Sequence, residues 1–518
     1  MKKIITGLID DIRSFAAGAR GSYSTALTGT AQNFKGRKWL VFFFYNGLAI
    51  LGCCYMSVYS TLRDGSEDVM MSIFIPQCIA VSIIVFFAFL HRSSPVFTAG
   101  AVAVISFGIA MQVYMLDPTS KEAQPDAAKI IIILFVGLIA SILLTPLMKY
   151  ITSGLNIKKT VLFVDAASLL IYLFLTVFGK NIGGAKGWIF IGGVSFQLTE
   201  ITKVLAVLAF SLCMYDDGKT AEKEKTWLAR ISLVLHAVCL ALICSELGTL
   251  GIILLTYFTV NFVFRKDRKV VLAELLAIIF LGLSAFAASG VVYRFTKPDT
   301  VETTAAAEDE TAAEVTENAD EESVTAISDG AEEASADANE RSVIKELLYT
   351  RVGRVYVKVM ARLGKTASGG KSEDNFQRGQ ADRALLRATL IGDSGGSLAG
   401  VPLISSDMVF VYIVVRLGII WTLFILFLFV VMAYEVFFKT ALSDHEKNAY
   451  GIFICAFVTS IFMQAFVSAA SATGLLPIIG VQFPFFGEGG SAMCVNMLMV
   501  ILAIDFLGKA NTEKEIAK

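Results

Sequence analysis

Residues 408 to 434 read MVFVYIVVRLGIIWTLFILFLFVVMAY, and in that stretch Arg416 is the single charged side chain. An apolar run of about 18 residues or more spans the roughly 30 Å hydrocarbon layer of a bilayer as a helix. Working outward from this stretch, similar runs recur near 39–60, 71–90, 96–116, 129–148, 160–178, 198–214, 227–244, 247–264, 270–292, 449–470 and 488–507. The chain is 55% hydrophobic and 17% charged, with a mean hydropathy of +0.67, whereas soluble domains carry about 25% charged residues. An ordinary soluble enzyme is excluded. The sequence predicts an all-α polytopic membrane protein of about 12 transmembrane helices with one large extracellular loop.

Basic residues set the orientation. Lys and Arg gather in 1–38, at His91-Arg92, at 149–159, 219–225, 265–269 and 439–447, and in the C-terminal tail. The positive-inside rule makes these segments cytoplasmic, both termini included. The opposite side then receives 63–68, 117–126, 180–195, the turn at Ser245, the long stretch 294–407, and 471–487. The N-terminal MKKIITGLIDDIRSF has too short an apolar run before Asp10 for a cleavable signal. Its apolar residues recur at helical spacing, which suits either a surface helix or a tail. All eight Cys fall in or beside apolar runs, so no disulfide framework is expected.

The net charge of −1 hides a segregation. Fifteen Asp or Glu and no Lys or Arg lie between Asp299 and Glu340, which leaves the rest of the chain at +14. Residues 296–340 carry almost no large apolar side chains, a composition that reads as a disordered tether. From Arg341 to Arg387 the balance reverses, with eleven Lys or Arg against four Asp or Glu. There Arg351, Arg354, Lys358, Arg362 and Lys365 share one helical face beside Val352, Val355, Val359 and Leu363. Such a helix either attracts a phosphate-bearing lipid headgroup at the membrane surface or is simply a solvated face.

Gly392-Asp393-Ser394-Gly395-Gly396 spells the string around a serine-protease nucleophile. A triad needs a His, and His91, His236 and His445 lie on the cytoplasmic side or within a span, out of reach of an outer serine. A protease is excluded. The string reads instead as a glycine turn bringing backbone close to the membrane or a ligand.

Four separated strings occur in one order. They are Trp188-Ile-Phe-Ile-Gly-Gly-Val-Ser-Phe-Gln-Leu-Thr-Glu200-Ile-Thr-Lys203; Ser245-Glu246-Leu247-Gly248-Thr249; Gly395-Gly396 with Pro402 to Asp407-Met408-Val409-Phe410 and Arg416-Leu417-Gly418; and Thr473-Gly474-Leu475-Leu476-Pro477 through Pro484-Phe485 to Gly489-Gly490-Ser491. Over about 160–508 the chain resembles the SEDS family (RodA/FtsW/SpoVE-like) of peptidoglycan glycosyltransferases. The resemblance implies a ten-helix core, here preceded by two extra spans. It also implies polymerisation of lipid II, an undecaprenyl-pyrophosphate-linked disaccharide pentapeptide, at the outer face of the bacterial cytoplasmic membrane, with a class B penicillin-binding protein as partner. No nucleic-acid partner is expected.

By the resemblance Asp407 is the essential carboxylate at the end of the large loop. The chemistry agrees: glycosyl transfer to a sugar hydroxyl calls for a base, and a carboxylate within reach supplies one. An Asp before an apolar run is also a good helix cap. The lipid pyrophosphate calls for cations, and Arg351, Arg354, Lys358, Arg383, Arg387 and Arg416 are the candidates. Glu200 and Lys203 share a helix face within the membrane, either as substrate contacts or as a helix clamp. Both match acidic and basic residues lining the family's central cavity. Glu246 stands where the family has Asp, although Ser245-Glu246 also suits a helix start. Ser491 matches a small polar residue at the cavity mouth. A divalent cation at the pyrophosphate is chemically reasonable, yet no ligand cluster specifies one.

The chain departs from the family pattern at several points. Leu198 and Thr199 replace Pro and Ser, Ser245 replaces Pro, and Ser468 replaces Asn. Arg416 replaces an acidic residue, the His before Asp407 is lost, and the loop from Gly396 to Asp407 is short. The expected division is a cytoplasmic segment 1–38, N-terminal spans 39–158, a first core part 159–295, the acidic insert 296–340, a basic catalytic loop 341–407, a last core part 408–508 and a tail 509–518. The competing reading is a non-enzymatic precursor transporter or an inactive scaffold that recruits a transpeptidase. Transporter folds usually carry internal repeats, and none is visible here.

Overall fold

The computed structural model describes residues 67–115, 123–152, 156–182, 185–191, 194–265, 268–296, 373–392, 401, 403–442, 448–487 and 489–516. They form α1 (Glu67–Leu90), α2 (Pro95–Met115), α3 (Ala123–Thr152), α4 (Ile157–Phe178), β1 (Lys180–Ile182), β2 (Ala185–Ile191), β3 (Val194–Gln197), α5 (Leu198–Met214) and α6 (Glu222–Val238). A π-helical turn (Cys239–Cys244) follows, then α7 (Leu247–Phe264), α8 (Arg268–Thr296), α9 (Glu373–Leu385), α10 (Val409–Leu442), α11 (Ala449–Ala472) and α12 (Gly490–Ile516).

Among the described residues nine helices are long and apolar enough to cross a membrane. The expected span at 39–60 lies outside the described residues, as do the N-terminal helix, the acidic insert and the basic helix around Arg351. The expected spans at 71–90 and 198–214 are helices too. The apolar part of α1, Ile75–Leu90, is short, and α5 has only 17 residues. Short α5 is enclosed by protein, its neighbours being α4, α6, α7 and α11. It can therefore hold Glu200 and Lys203 away from lipid.

Local chemistry explains several helix ends. Asn156 caps α4 by accepting from Lys159 N, and Asn448 caps α11 by accepting from Gly451 N at 2.7 Å. The π-helical turn ends at Ser245 in the left-handed region, φ 54. That places Glu246 between two membrane helices. α11 and α12 form the centre, with 78% and 89% of their span residues buried, whereas α8 is peripheral at 11%.

The outer segment 180–195, expected as a plain loop, forms an antiparallel sheet of order β1-β2-β3. Its register pairs Lys180 with Trp188 and Trp188 with Gln197. Ala185–Ile191, rich in aromatic and β-branched residues at Trp188–Ile191, pairs with Val194–Gln197 as a hairpin, and β3 runs straight into α5. The sheet thereby fixes where α5 begins.

The segment between α11 and α12 is packed inside, with Phe483, Phe485 and Phe486 buried. A buried loop must satisfy its backbone. Gln112 Nε2 donates to Phe485 O at 2.8 Å, Gln464 Nε2 to Gln482 O at 3.1 Å, Ser471 Oγ to Pro477 O at 2.9 Å and Arg378 Nη2 to Leu476 O at 3.0 Å. Side chains from α2, α9 and α11 thus do for this loop what water does for an exposed one.

Candidate functional site

At the start of α5 the Lys203 ammonium donates to Glu200 Oε2 at 2.6 Å and to Gln464 Oε1 at 2.8 Å. All three side chains are buried. Helical spacing of three places the pair on one face, and Gln464 meets it from α11. A lone buried ammonium in a bundle is costly; a carboxylate and an amide oxygen together offset that cost.

A second branch holds Glu246. Its Oε1 accepts from Gln197 Nε2 at 3.0 Å, and its Oε2 accepts from Thr249 Oγ1 at 2.9 Å. Gly187 on β2 lies against the same carboxylate, where any Cβ would collide with Oε1. Burial pushes the Glu246 carboxyl up, against the lowering effect of the hydrogen bonds from Gln197 and Thr249, and the negative charge of Glu200 adds to the rise. Ser491 Oγ accepts from Gln197 N at 2.7 Å, tying α12 to the start of α5. Four of the sequence candidates thus fall in two adjoining polar clusters, Glu200 and Lys203 with Gln464 in one and Glu246 and Ser491 around Gln197 in the other, set side by side by the three chain positions from Gln197 to Glu200.

Asp407 stands on another element, half-buried, two residues before α10. Its turn is held by Ser406 N and Met408 N, which both donate to Leu403 O, at 3.1 and 3.0 Å. One turn on, the Phe410 ring packs 5.4 Å from Phe483, the neighbour of Gln482, whose carbonyl Gln464 holds. The helix that follows Asp407 thus packs on the loop that Gln464 holds. The Arg416 guanidinium carbon lies 5.8 Å from the Tyr412 ring centre. Arg383 and Arg387 are exposed at the end of α9 and just beyond it. Arg351, Arg354 and Lys358 lie outside the described residues.

Sequence reasoning missed Gln197 and Gln464 as site members, and Arg378 as the tie between α9 and the buried loop. Gln464 carried a signal, an amide inside an apolar span. Gln482 and Asn496 line a narrow, closely packed crevice beside Gln464. Both amide atoms of Asn496 are buried there with no hydrogen-bond partner. The crevice has no room for even a water molecule, whereas pockets that enclose a drug-sized ligand run to about 300–1,000 Å³, so it does not hold a lipid-linked disaccharide. Among the described residues no group of three or more His, Cys, Asp or Glu stands together as a metal site.

The family model described as cell cycle protein, FtsW/RodA/SpoVE, matches residues 87–311 and 340–509. The probable peptidoglycan glycosyltransferase FtsW of Borreliella burgdorferi is 24% identical over 350 residues, covering 67% of this chain and 78% of that protein. The protein of the same description from Enterococcus hirae is 22% identical over 352 residues, covering 67% and 74%. A solved chain from work on the structural coordination of polymerization and crosslinking by a peptidoglycan synthase complex aligns with a TM-score of 0.50 at 16% identity, over 80% of this chain and 97% of that one. That likeness concerns the fold. The match of the family model to well over half of the sequence, on both sides of the acidic stretch, decides the kinship: this chain belongs to the FtsW/RodA/SpoVE family of cell cycle proteins.

Proposed function

We propose that the protein is a peptidoglycan glycosyltransferase, polymerising lipid II at the outer face of the bacterial cytoplasmic membrane. The observation that carries this reading is the pair of adjoining polar clusters, Glu200, Lys203 and Gln464 in one and Gln197, Glu246 and Ser491 in the other. They draw on three of the four strings of the family resemblance, and the helix that follows Asp407 packs through Phe410 on the loop that Gln464 holds. Ionisable groups enclosed in a membrane bundle are expensive to keep and mark function. The similarity to proteins described as peptidoglycan glycosyltransferases supports the same assignment.

In this reading a sugar hydroxyl of one lipid II attacks the anomeric carbon of a second glycan. Asp407 takes the hydroxyl proton as the new glycosidic bond forms. The bond from the anomeric carbon to the pyrophosphate breaks, and the lipid pyrophosphate leaves with the electron pair, giving inversion. Cations from Arg383, Arg387, Arg416 and the basic loop with Arg351, Arg354 and Lys358 neutralise it. A divalent cation is compatible with this chemistry. Both termini face the cytoplasm in this arrangement, the acidic stretch 296–340 tethers a basic catalytic loop 341–407, and the core comprises 159–295 and 408–508. A class B penicillin-binding protein is the partner that would crosslink the product. The similar solved chain comes from a complex described as coordinating polymerization and crosslinking, which supports that choice.

The test is purified protein mixed with lipid II, with the product resolved on a gel. The enzyme yields polymer that disappears in Asp407→Asn. A transporter or scaffold yields none with either protein, and polymer at wild-type rate from Asp407→Asn removes the role of Asp407.

A further inference from the structure

The glycine-rich string that serves no protease triad begins at Gly392, and Gly392 meets α10 at an interruption in that helix. Gly418 has φ 86 and ψ 170, which splits α10 into Val409–Leu417 and a longer piece from Ile419. Gly392 has φ +102. The two backbones cross in contact: a Cβ on Gly418 would stand 2.5 Å from Ile391 C, and one on Gly392 would stand 2.6 Å from Leu417 C. Positive φ and absent space together demand glycine at each position.

The break frees amides that an unbroken helix would bond one turn back. Ile419 N donates instead to Thr389 O, and Ile420 N to Leu390 O, both at 3.1 Å. Thr389 Oγ1 completes a clasp, accepting from Gly392 N at 2.9 Å and donating to Gly392 O at 2.9 Å. The chain that leaves at Gly392 and returns at Gly418 is closed at its base, and it carries Asp407. Between Asp407 and Gly418 runs a short helix whose Val409, Val411, Ile413 and Val415 are buried. A rigid rod of this kind carries any displacement at Gly418 to its other end.

We propose that the crossing of Gly392 over Gly418, locked by Thr389, is the positioning device for Asp407. The inference rests on the reading of Asp407 as the base. The sequence expectation set this turn against the membrane or a ligand; Gly392 instead meets the backbone of the interrupted α10, and positions 393–396 of the string lie outside the described residues.

The test compares kcat and KM for lipid II in Thr389→Val, Thr389→Ser and Gly418→Ala, with Gly251→Ala on α7, where a Cβ meets open space, as control. A nitroxide at position 406, in a background with native cysteines replaced, reports the mobility of the turn in each. Misplacement of a reacting group by about 1 Å costs on the order of 10²-fold. Thr389→Val and Gly418→Ala should therefore lose about ten- to a hundred-fold in kcat with KM little changed. Thr389→Ser and Gly251→Ala should match wild type, and the label should loosen only in the first two. Thr389→Val leaves the helix backbone intact, so it decides the matter if Gly418→Ala fails to fold. Wild-type kcat in Thr389→Val with an unchanged line shape, or a rise in KM alone, overturns the proposal. If wild type itself makes no polymer, the glycosyltransferase reading falls. The line shapes then judge the clasp alone: loosening in Thr389→Val supports it and no change overturns it.

Discussion

Lys203 and Glu200, one turn apart on α5, form an ion pair of 2.6 Å in which the lysine side chain is fully enclosed. Removing one partner of such a pair strands the other charge, at a cost of about 3–5 kcal/mol, whereas removing both is far milder. Glu200→Gln and Lys203→Met should each lower thermal stability sharply, and the double variant should recover most of the loss. Melting curves in detergent measure all three. A double variant as unstable as the sum of the singles would contradict a pair that matters mainly through mutual neutralisation.

Glu246 yields a pH dependence. Its carboxyl is held above the ordinary range by burial, so the folded state binds the proton more tightly than the unfolded chain. The sign follows from linkage: this contribution is fully present below the unfolded carboxyl range and is lost as pH rises through the folded value. Glu246→Gln removes the dependence. Relative to wild type it should gain stability as pH rises from the ordinary carboxylate range, with the difference closing on acidification. Parallel melting-temperature profiles against pH would refute the assignment.

Glu274 anchors the peripheral helix α8. Its Oε1 accepts from Arg230 Nη2 at 2.6 Å and Arg265 Nη1 at 3.0 Å, and Tyr257 donates to Oε2 at 3.2 Å. Hydrogen bonds to charged groups contribute about 1.5–3 kcal/mol each, and little else holds this helix, since 11% of its span residues are buried. Glu274→Ala should raise amide exchange throughout α8 while leaving α11 and α12 protected. Hydrogen exchange read by mass spectrometry decides between this and a uniform change.

Asp505 ties helix ends together far from the candidate site. It is buried on α12, accepting from Lys149 Nζ of α3 at 2.5 Å and from Tyr450 of α11 at 3.1 Å, with His91 Nε2 at 3.4 Å. Fourteen residues of helix separate it from Ser491, about 21 Å at 1.5 Å per residue. Asp505→Ala should destabilise the bundle by about 1.5–3 kcal/mol, the worth of a hydrogen bond to a charged group, because the partly exposed Lys149 loses its partner. The KM for lipid II of the protein that remains folded should stay near wild type. A several-fold change in KM would show that this cluster communicates with the site.

Most of the architecture was legible in the chain because its cause is local. A run such as 449–470 must span as a helix whatever surrounds it, since hydrocarbon leaves its backbone no other partner. Glu200 and Lys203 were legible as candidates because charge within a span is costly, whereas Asp407, Glu246 and Ser491 were picked out by the family resemblance of their strings. Which groups meet was decided only by tertiary structure. Gln464 lies 261 positions from the lysine it satisfies, and Ser491 lies 294 from the amide it accepts from. The hairpin at 185–197 depends on strand pairing, and the interruption at Gly418 depends on carbonyls of Thr389 and Leu390 arriving to receive two amides. Hydropathy is summed along a window of sequence, whereas a hydrogen bond or a backbone crossing needs two distant segments to share one place; so the chain by itself determined that it lies in a membrane, and folding determined where its polar groups converge.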